Sequence, residues 1–205
     1  MLLAIETGYE ACSVALIDGD TVVAQRHAII GRGHAERLVP TIEAVLHRQP
    51  RPDAIAVDIG PGSFTGLRVG IAAARGLGLA WRVPVTGFRS TALVAAAALQ
   101  KQPGTAAISV VMDAGRGEVF MESFDAKLRS LAPVAALSPP AAAEAAMAKI
   151  AGTAAKVVLA QRPTLCIVAD VPPDAADVRL LPAAQRAAPA TPLYVRAPDA
   201  KLPAA

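Results

Sequence analysis

The chain has 205 residues, a formal net charge of +3 and a hydrophobic content of 54%. This length is enough for one domain or two small ones, and the hydrophobic content excludes an intrinsically disordered chain. Basic residues are scattered and only 3% of residues are aromatic, so we expect no surface that reads RNA bases directly. The N-terminus has no basic leader and no apolar run reaches about 18 residues, which predicts a cytoplasmic protein that does not enter a membrane.

Short apolar segments near the N-terminus predict the strands of a sheet. Strands are expected at 2–6, 13–17 and 21–27, joined as a hairpin and a meander. Apolar residues then recur at helical spacing over 33–48. Pro40 lies inside this helix and is expected to kink or restart it, because proline has no N–H to donate.

Residues 60–70 read GPGSFTGLRVG, and they join a buried strand at 54–59 to a helix that runs to about residue 80. Ser63 and Thr65 are natural N-caps for this helix. Either the turn offers its amides to an anion or it is a tight strand-to-helix connection. Glycines at 60, 62 and 66 fit neither a Walker loop nor a dinucleotide fingerprint, so the nucleotide interpretation is the weaker one.

Small residues recur every four positions along the same helix. Gly66, Gly70, Ala74 and Gly78 therefore share one face, along which another backbone can approach closely. The spacing does not distinguish packing inside the chain's own domain from a contact with another subunit.

Two segments of the chain resemble each other at a constant offset of 107 residues. IETGYEACSVALID (5–18) aligns without gaps with MDAGRGEVFMESFD (112–125), and each predicts a strand, a turn with glycine and a return strand. The repeat indicates two duplicated α/β lobes.

The remaining sequence predicts shorter elements. We expect a strand at 83–86, a helix at 91–100, a helix after Pro140, and strands at 157–160 and 165–169. From Pro172 onward the many prolines predict an extended, poorly ordered segment, within which PLYVR (192–196) stands out as an apolar docking segment. The predicted division is an N-terminal lobe at 1–102, a shortened C-terminal lobe at 103–190 and an extended Pro-rich tail at 191–205. Cys12 and Cys166, which have no metal-ligand spacing, are predicted to be reduced core thiols.

Glu6 and Asp113 end equivalent strands of the two copies. They are the weak candidates for holding a metal-nucleotide across a cleft, which would make the chain a small ATP-dependent phosphotransferase. The other interpretation, that each acid bonds a backbone amide in its turn, is favoured because no phosphate-binding loop completes the site.

The three histidines do not form an HxxxH pair and no GxSxG motif occurs, so we predict no metal site and no catalytic residues. The sequence therefore favours a binding or scaffolding function.

Five segments together resemble the TsaB (YeaZ) family, whose members act in threonylcarbamoyladenosine formation in transfer RNA. These segments are LLAIETGYEACSVAL, HAERLVPTIEAVL (34–46), GPGSFTGLRVGIAAARGLGLA (60–80), MDAGRGEVF (112–120) and PLYVR (192–196). The resemblance implies a two-lobed, duplicated α/β fold of the actin, sugar-kinase and Hsp70 class (ASKHA, ribonuclease H-like). This chain departs from the family pattern at Glu6, Gly115 and Phe120, where family members commonly have Asp, Arg and Tyr. These departures weaken the case for nucleotide binding.

The resemblance implies a non-catalytic subunit of a threonylcarbamoyl transferase complex. Such a subunit binds and stabilises the catalytic paralogue TsaD, with the ATPase TsaE as a third member, and forms a homodimer when alone. ATP and a metal are then expected in the partner subunits, and contact with transfer RNA is expected to be indirect.

Family members associate through their first two helices, so the resemblance implies an interface on the helices at 33–48 and 64–80. The candidate interface residues are His34, Arg37, Leu38, Thr41, Val45, Gly66, Arg68, Gly70, Ile71, Ala74, Arg75, Gly78 and Leu79.

Overall fold

The structure, a computed structural model, describes residues 1–196 as two sheets with helices packed against them. The first sheet contains β1 (Leu2–Glu6), β2 (Ala11–Asp18), β3 (Thr21–Ile29), β4 (Ala54–Asp58), β5 (Val85–Phe88) and β11 (Ala188–Pro189). The second contains β6 (Ala107–Gly115), β7 (Glu118–Asp125), β8 (Ala135–Leu137), β9 (Lys149–Ala151) and β10 (Cys166–Ala169).

Five α-helices and two 3-10 helices accompany the sheets. They are α1 (His34–Leu46), α2 (Phe64–Trp81), α3 (Ser90–Lys101), α4 (Pro139–Ala145) and α5 (Ala155–Leu159), with 3-10 helices at Ala175–Leu180 and Ala183–Arg186. We call the first sheet with α1 and α2 the first lobe, and the second sheet with α4 and α5 the second lobe.

The two lobes repeat one topology. The strand order is β3-β2-β1-β4-β5 in the first lobe and β8-β7-β6-β9-β10 in the second. In both, the first three strands pair antiparallel, and the fourth and fifth are parallel. Strands β2 and β7 have the same length and are offset by 107 residues, as the internal repeat predicts. The predicted fold class, a duplicated ASKHA-like α/β fold, is confirmed.

Helix α1 packs on the first sheet through Leu38, Ile42 and Val45, which follow the helical period. It continues from His34 to Leu46 through Pro40, so the predicted restart does not occur. Pro40 is on the exposed side, where the carbonyl that it leaves without a partner can meet water.

Helix α3 lies between the lobes and is buried around most of its circumference. Its alanines, together with Leu93 and Val94, belong to one core cluster that also includes Phe88 of the first lobe and Phe124 of the second. A helix that is apolar on nearly every side has to be buried in this way. The lobes therefore share a core through α3.

Several predicted elements differ from the structure. Of residues 157–160, predicted as a strand, the first three belong to the short helix α5 and Ala160 is its C-cap. Ala155 and Val158 of this helix pack into the second lobe. The segment after Pro172, as far as the structure describes it, contains residues packed into the core, with Ala175 and Val178 fully buried, and is not poorly ordered there. Cys12 is buried as predicted, but Cys166 is exposed.

The chain returns to the first sheet after building the second, because β11 pairs with β5. The second lobe has shorter elements: α4 and α5 contain 7 and 5 residues, against 13 and 18 in α1 and α2. The division at 1–102, 103–190 and 191–205 stays a prediction, and residues 197–205 lie outside the described part. Within 1–196, none of the helices combines the length and the apolar character that crossing a membrane requires.

Candidate functional site

The glycine-rich turn is held tightly against the β1–β2 turn. The amide of Ser63 donates to the carbonyl of Gly8 at 2.7 Å, and the Ser63 hydroxyl accepts from the amide of Gly66 at 3.3 Å as the N-cap of α2. The Ser90 hydroxyl donates a hydrogen bond to the carbonyl of Pro61 at 2.7 Å. These bonds fit a tight strand-to-helix connection.

The stripe of small residues on α2 faces the chain's own first sheet. A Cβ atom added to Gly66 would collide with the carbonyl oxygen of Thr7, and one added to Gly70 would collide with the Thr7 hydroxyl. At Gly78 the added atom would meet the side chain of Val85. The stripe allows α2 to pack directly against the sheet.

The predicted interface stays a prediction, but most of its candidates lie in the interior of the first lobe. Eight of the thirteen candidates are buried there. They are His34, Leu38, Val45, Gly66, Gly70, Ile71, Ala74 and Gly78.

The other five candidates remain on or near the surface. Arg37, Arg68, Arg75 and Leu79 are exposed and Thr41 is partly buried. Two of the arginines have intramolecular partners: Arg68 Nε donates to the Tyr194 hydroxyl at 2.9 Å, and Arg75 Nη2 donates to the carbonyl of Ala190 at 2.7 Å.

Apart from Leu79, the exposed apolar residues of the same two helices were missed by the sequence reasoning. Leu79 is 84% exposed and Val39 of α1 is 63% exposed, more than any other large hydrophobic residue described. Beside Leu79, α2 exposes Ala72, Gly76 and Ala80 at four-residue spacing. We call Val39, Ala72, Gly76, Leu79 and Ala80 the docking face.

The docking face has its own sequence signal, which is the same four-residue spacing of small residues shifted two positions along α2. Nothing lies within 4 Å of a Cβ atom built on Gly76, so this glycine is open to solvent where Gly70 is enclosed. Both stripes of small residues on α2 are visible in the sequence. Which of them is exposed to solvent depends on the face that the first sheet covers.

A cleft of about 1160 Å³ lies between the lobes. The first lobe contributes the β1–β2 turn, the N-termini of α1 and α2 and the segment before them, and the second contributes the β6–β7 turn and Thr153. Asp113 lines this cleft, whereas Glu6 is fully buried and does not. Of the two acids, only Asp113 therefore reaches the cleft. The metal-nucleotide site stays a prediction that this placement does not support.

Glu6 and Asp113 instead bond backbone amides in equivalent turns. Glu6 Oε1 accepts from the amide of Gly8 at 2.8 Å, and Asp113 Oδ1 accepts from the amide of Gly115 at 2.9 Å. The repeat therefore preserves a turn geometry in both lobes.

The carboxyl group of Glu6 is buried next to that of Asp58. Burial raises the pKa of Glu6 well above its ordinary value and the charge of Asp58 raises it further, while burial raises the pKa of Asp58 to about 7. Asp58 Oδ1 accepts from the amide of Gly60 at 2.9 Å, but Glu6 Oε2 and Asp58 Oδ2 receive no N–H or hydroxyl donor. We interpret the two enclosed carboxyls as a pair that shares a proton.

The histidines occupy unrelated places. His34 Nε2 lies 3.1 Å from the carbonyl oxygen of Ala11, His27 Nδ1 lies 3.1 Å from the Ser13 hydroxyl, and His47 is exposed beyond α1. Over residues 1–196, no three His, Cys, Asp or Glu side chains come together as metal ligands would.

A family model for TsaD, the tRNA N6-adenosine threonylcarbamoyltransferase, matches residues 27–157. The chain is 36% identical over 127 residues to the tRNA threonylcarbamoyladenosine biosynthesis protein TsaB of Escherichia coli K12, which covers 60% of this chain and 54% of that protein. An uncharacterized protein of Mycobacterium tuberculosis H37Rv is 32% identical over 206 residues, or 98% of this chain and 93% of that one.

The fold is similar to that of a solved structure, YeaZ from Pseudomonas aeruginosa. The two superpose with a TM-score of 0.75 at 28% identity, over 94% of this chain and 98% of the other. The chain thus matches about half of the Escherichia coli protein by sequence, but nearly all of the Pseudomonas protein by structure.

Proposed function

The chain belongs to the TsaB (YeaZ) family, and from this membership we propose that it is a non-catalytic subunit for threonylcarbamoyladenosine synthesis in transfer RNA. Its proposed task is to bind and stabilise TsaD, the catalytic paralogue, while TsaE joins the pair as a third subunit. We assign contact with transfer RNA to the partner subunits.

The observation that carries this proposal is the docking face on α1 and α2. The large apolar side chains of Leu79 and Val39 are exposed, as is typical of a surface that a partner covers. The small residues Ala72, Gly76 and Ala80 allow the backbone of a partner helix to approach closely. We propose that this face, and not the buried stripe from Gly66 to Gly78, packs against the helices of TsaD. When TsaD is absent, a second copy of the chain can cover the same face.

Of the five exposed or partly buried candidates, Leu79 belongs to this face. We place it at the centre because it is the most exposed large apolar residue described, and Arg37 and Thr41 lie on α1, the helix that carries Val39. Arg68 and Arg75 are engaged with the segment near the C-terminus, so we do not place them in the apolar core of the interface.

The proposal is tested by binding of the purified chain to purified TsaD in the variant Leu79→Glu. A charge placed at the centre of an apolar interface has to be buried on association, so we expect affinity to fall by about tenfold or more. Isothermal titration gives the affinity, and light scattering after size exclusion reports the homodimer. Val157→Glu is the matched control, because Val157 is 51% exposed on α5 of the other lobe and should bind as the wild type does.

Wild-type affinity in Leu79→Glu, or an equal loss in Val157→Glu, would contradict the docking face. The pathway is tested separately by depleting the protein and measuring threonylcarbamoyladenosine in cellular transfer RNA. Unchanged levels on depletion would contradict the assignment of the chain to this modification.

A further inference from the structure

The segment 192–196, PLYVR, runs across the mouth of the cleft between the lobes. Leu193, Tyr194, Val195 and Arg196 all line the cleft. The proposed contact with TsaD on α1 and α2 does not use this segment. We call it the strap.

The strap is attached to the first lobe by backbone and side-chain contacts. The amide of Leu193 donates to the carbonyl of Ile59 at 2.7 Å. The Tyr194 ring lies against that of Phe64 with centroids 5.3 Å apart, and its hydroxyl accepts from Arg68 Nε at 2.9 Å.

Arg196 attaches the other end of the strap to the second lobe. Its Nη1 lies 2.7 Å from Glu118 Oε2 and its Nη2 donates to the carbonyl of Ala114 at 2.5 Å. The guanidinium also stands over the ring of Phe120, 5.4 Å from its centroid. Glu118 and Phe120 belong to β7, and Ala114 to β6.

We propose that the strap is an intramolecular restraint that fixes the opening of the cleft, with Arg196 as its releasable end. Five residues connect the lobes on the cleft side, while α3 connects them through the core. The first-lobe end includes a backbone hydrogen bond and a packed ring, whereas the polar contacts of the second-lobe end, as far as residue 196, come from the Arg196 side chain. Because the side chains of Arg196 and Glu118 are 33% and 38% exposed, water and salt weaken their attraction, and this end releases first. A ligand or partner that changes the cleft opening has to break this contact.

The test measures the distance between the lobes by electron paramagnetic resonance of paired spin labels. Cys166 is an exposed natural attachment point on the second lobe, and Arg51→Cys adds an exposed one on the first, while Cys12 is only 1% exposed and resists labelling. In this background we expect one narrow distance distribution. Arg196→Glu and Arg196→Ala should broaden it, and Arg196→Glu combined with Glu118→Arg should narrow it again.

Arg129→Glu is the matched control, because Arg129 pairs with Asp125 four residues away within the second lobe. It should leave the distribution unchanged, and thermal unfolding establishes that each variant is folded. A narrow, wild-type distribution in both Arg196 variants would overturn the proposal. A swap that fails to restore the narrow distribution would overturn the assignment of the Arg196–Glu118 pair as the restraint.

Discussion

Arg89 and Glu122 form an ion pair that ties the start of α3 to β7 of the second lobe. The Glu122 side chain is fully buried, and it also accepts from the hydroxyls of Thr91 at 2.5 Å and Ser130 at 2.7 Å. The Arg89 guanidinium, which is 25% exposed, reaches this carboxylate from the solvent side. Arg89 and the two hydroxyls therefore provide the counter-charge and the hydrogen bonds that the buried Glu122 carboxylate needs.

We expect Arg89→Met to lower the free energy of unfolding by about 3 kcal/mol, because it leaves the Glu122 carboxylate buried without its counter-charge. Combining it with Glu122→Gln removes the stranded charge, so the double variant should be more stable than Arg89→Met. Urea denaturation followed by circular dichroism measures both. The single variant Glu122→Gln is measured as well. If the loss of unfolding free energy in the double variant equals the sum of the losses in the two single variants, the two residues act independently.

The Glu6–Asp58 pair predicts a stability that falls as pH rises. Both carboxyls have a pKa near 4 in the unfolded chain, but burial raises the pKa of Asp58 to about 7 and that of Glu6 well above its ordinary value. The folded chain therefore holds more protons than the unfolded chain above about pH 4, and the pair's contribution to stability decreases from there through about pH 7.

We expect Glu6→Gln to reduce this pH dependence, since the amide cannot ionise and its oxygen can still accept from Gly8. The measurement is the unfolding free energy at several pH values between about 5 and 8, compared with the wild type. Asp113→Asn is the control, because Asp113 makes the equivalent backbone bond at an exposed position. The shared-proton interpretation fails if Glu6→Gln keeps the slope of the wild type.

The two glycines at 70 and 76 should respond in opposite ways to alanine. Gly70→Ala forces a methyl group against the Thr7 hydroxyl and should destabilise the chain by about 1–3 kcal/mol. Gly76→Ala adds its methyl group to open space within a helix and should stabilise the chain by about 0.5–1 kcal/mol. Thermal and urea unfolding distinguish these outcomes, and equal effects at both sites would contradict the assigned facing of α2.

Asp174 attaches the segment after β10 to the first lobe. Its carboxylate accepts from the Ser13 hydroxyl at 3.0 Å and from Gln25 Nε2 at 2.8 Å, and the Ser13 hydroxyl in turn accepts from the amide of Ala175 at 2.9 Å. We expect Asp174→Ala to speed hydrogen exchange at Ala175 and Ala176, because hydrogen bonds to a charged group contribute about 1.5–3 kcal/mol. Asp170→Ala removes an exposed pair with Lys156 and should leave these amides protected.

The sequence was sufficient for the architecture because two signals supported each other. Hydrophobic periodicity predicted the strands and helices of the first lobe, and the 107-residue offset predicted that the second lobe repeats it. The short helices and strands of the second lobe were harder to predict from the sequence. Residues 157–159 include two valines, which favour a strand, but packing against the second sheet places them in a helix.

The site was predicted less well, for a physical reason. A four-residue spacing defines a stripe on α2 but does not say what covers it, and the contact of Gly70 with Thr7 depends on residues 63 positions apart. The proximity of Glu6 to Asp58 and of Arg89 to Glu122 likewise arises only when strands meet in space. Neither pair has a local sequence signal.

The pairing of β11 with β5 has a consequence for synthesis on the ribosome. The first residues of the chain begin a sheet whose edge is completed by Ala188–Pro189, and Asp174 is needed to secure β2. A nascent chain that has only its N-terminal half outside the exit tunnel exposes β5 as an open edge. Pairing of this edge is therefore a late event in synthesis, because it needs Ala188–Pro189, and until then β5 is open to association with another strand.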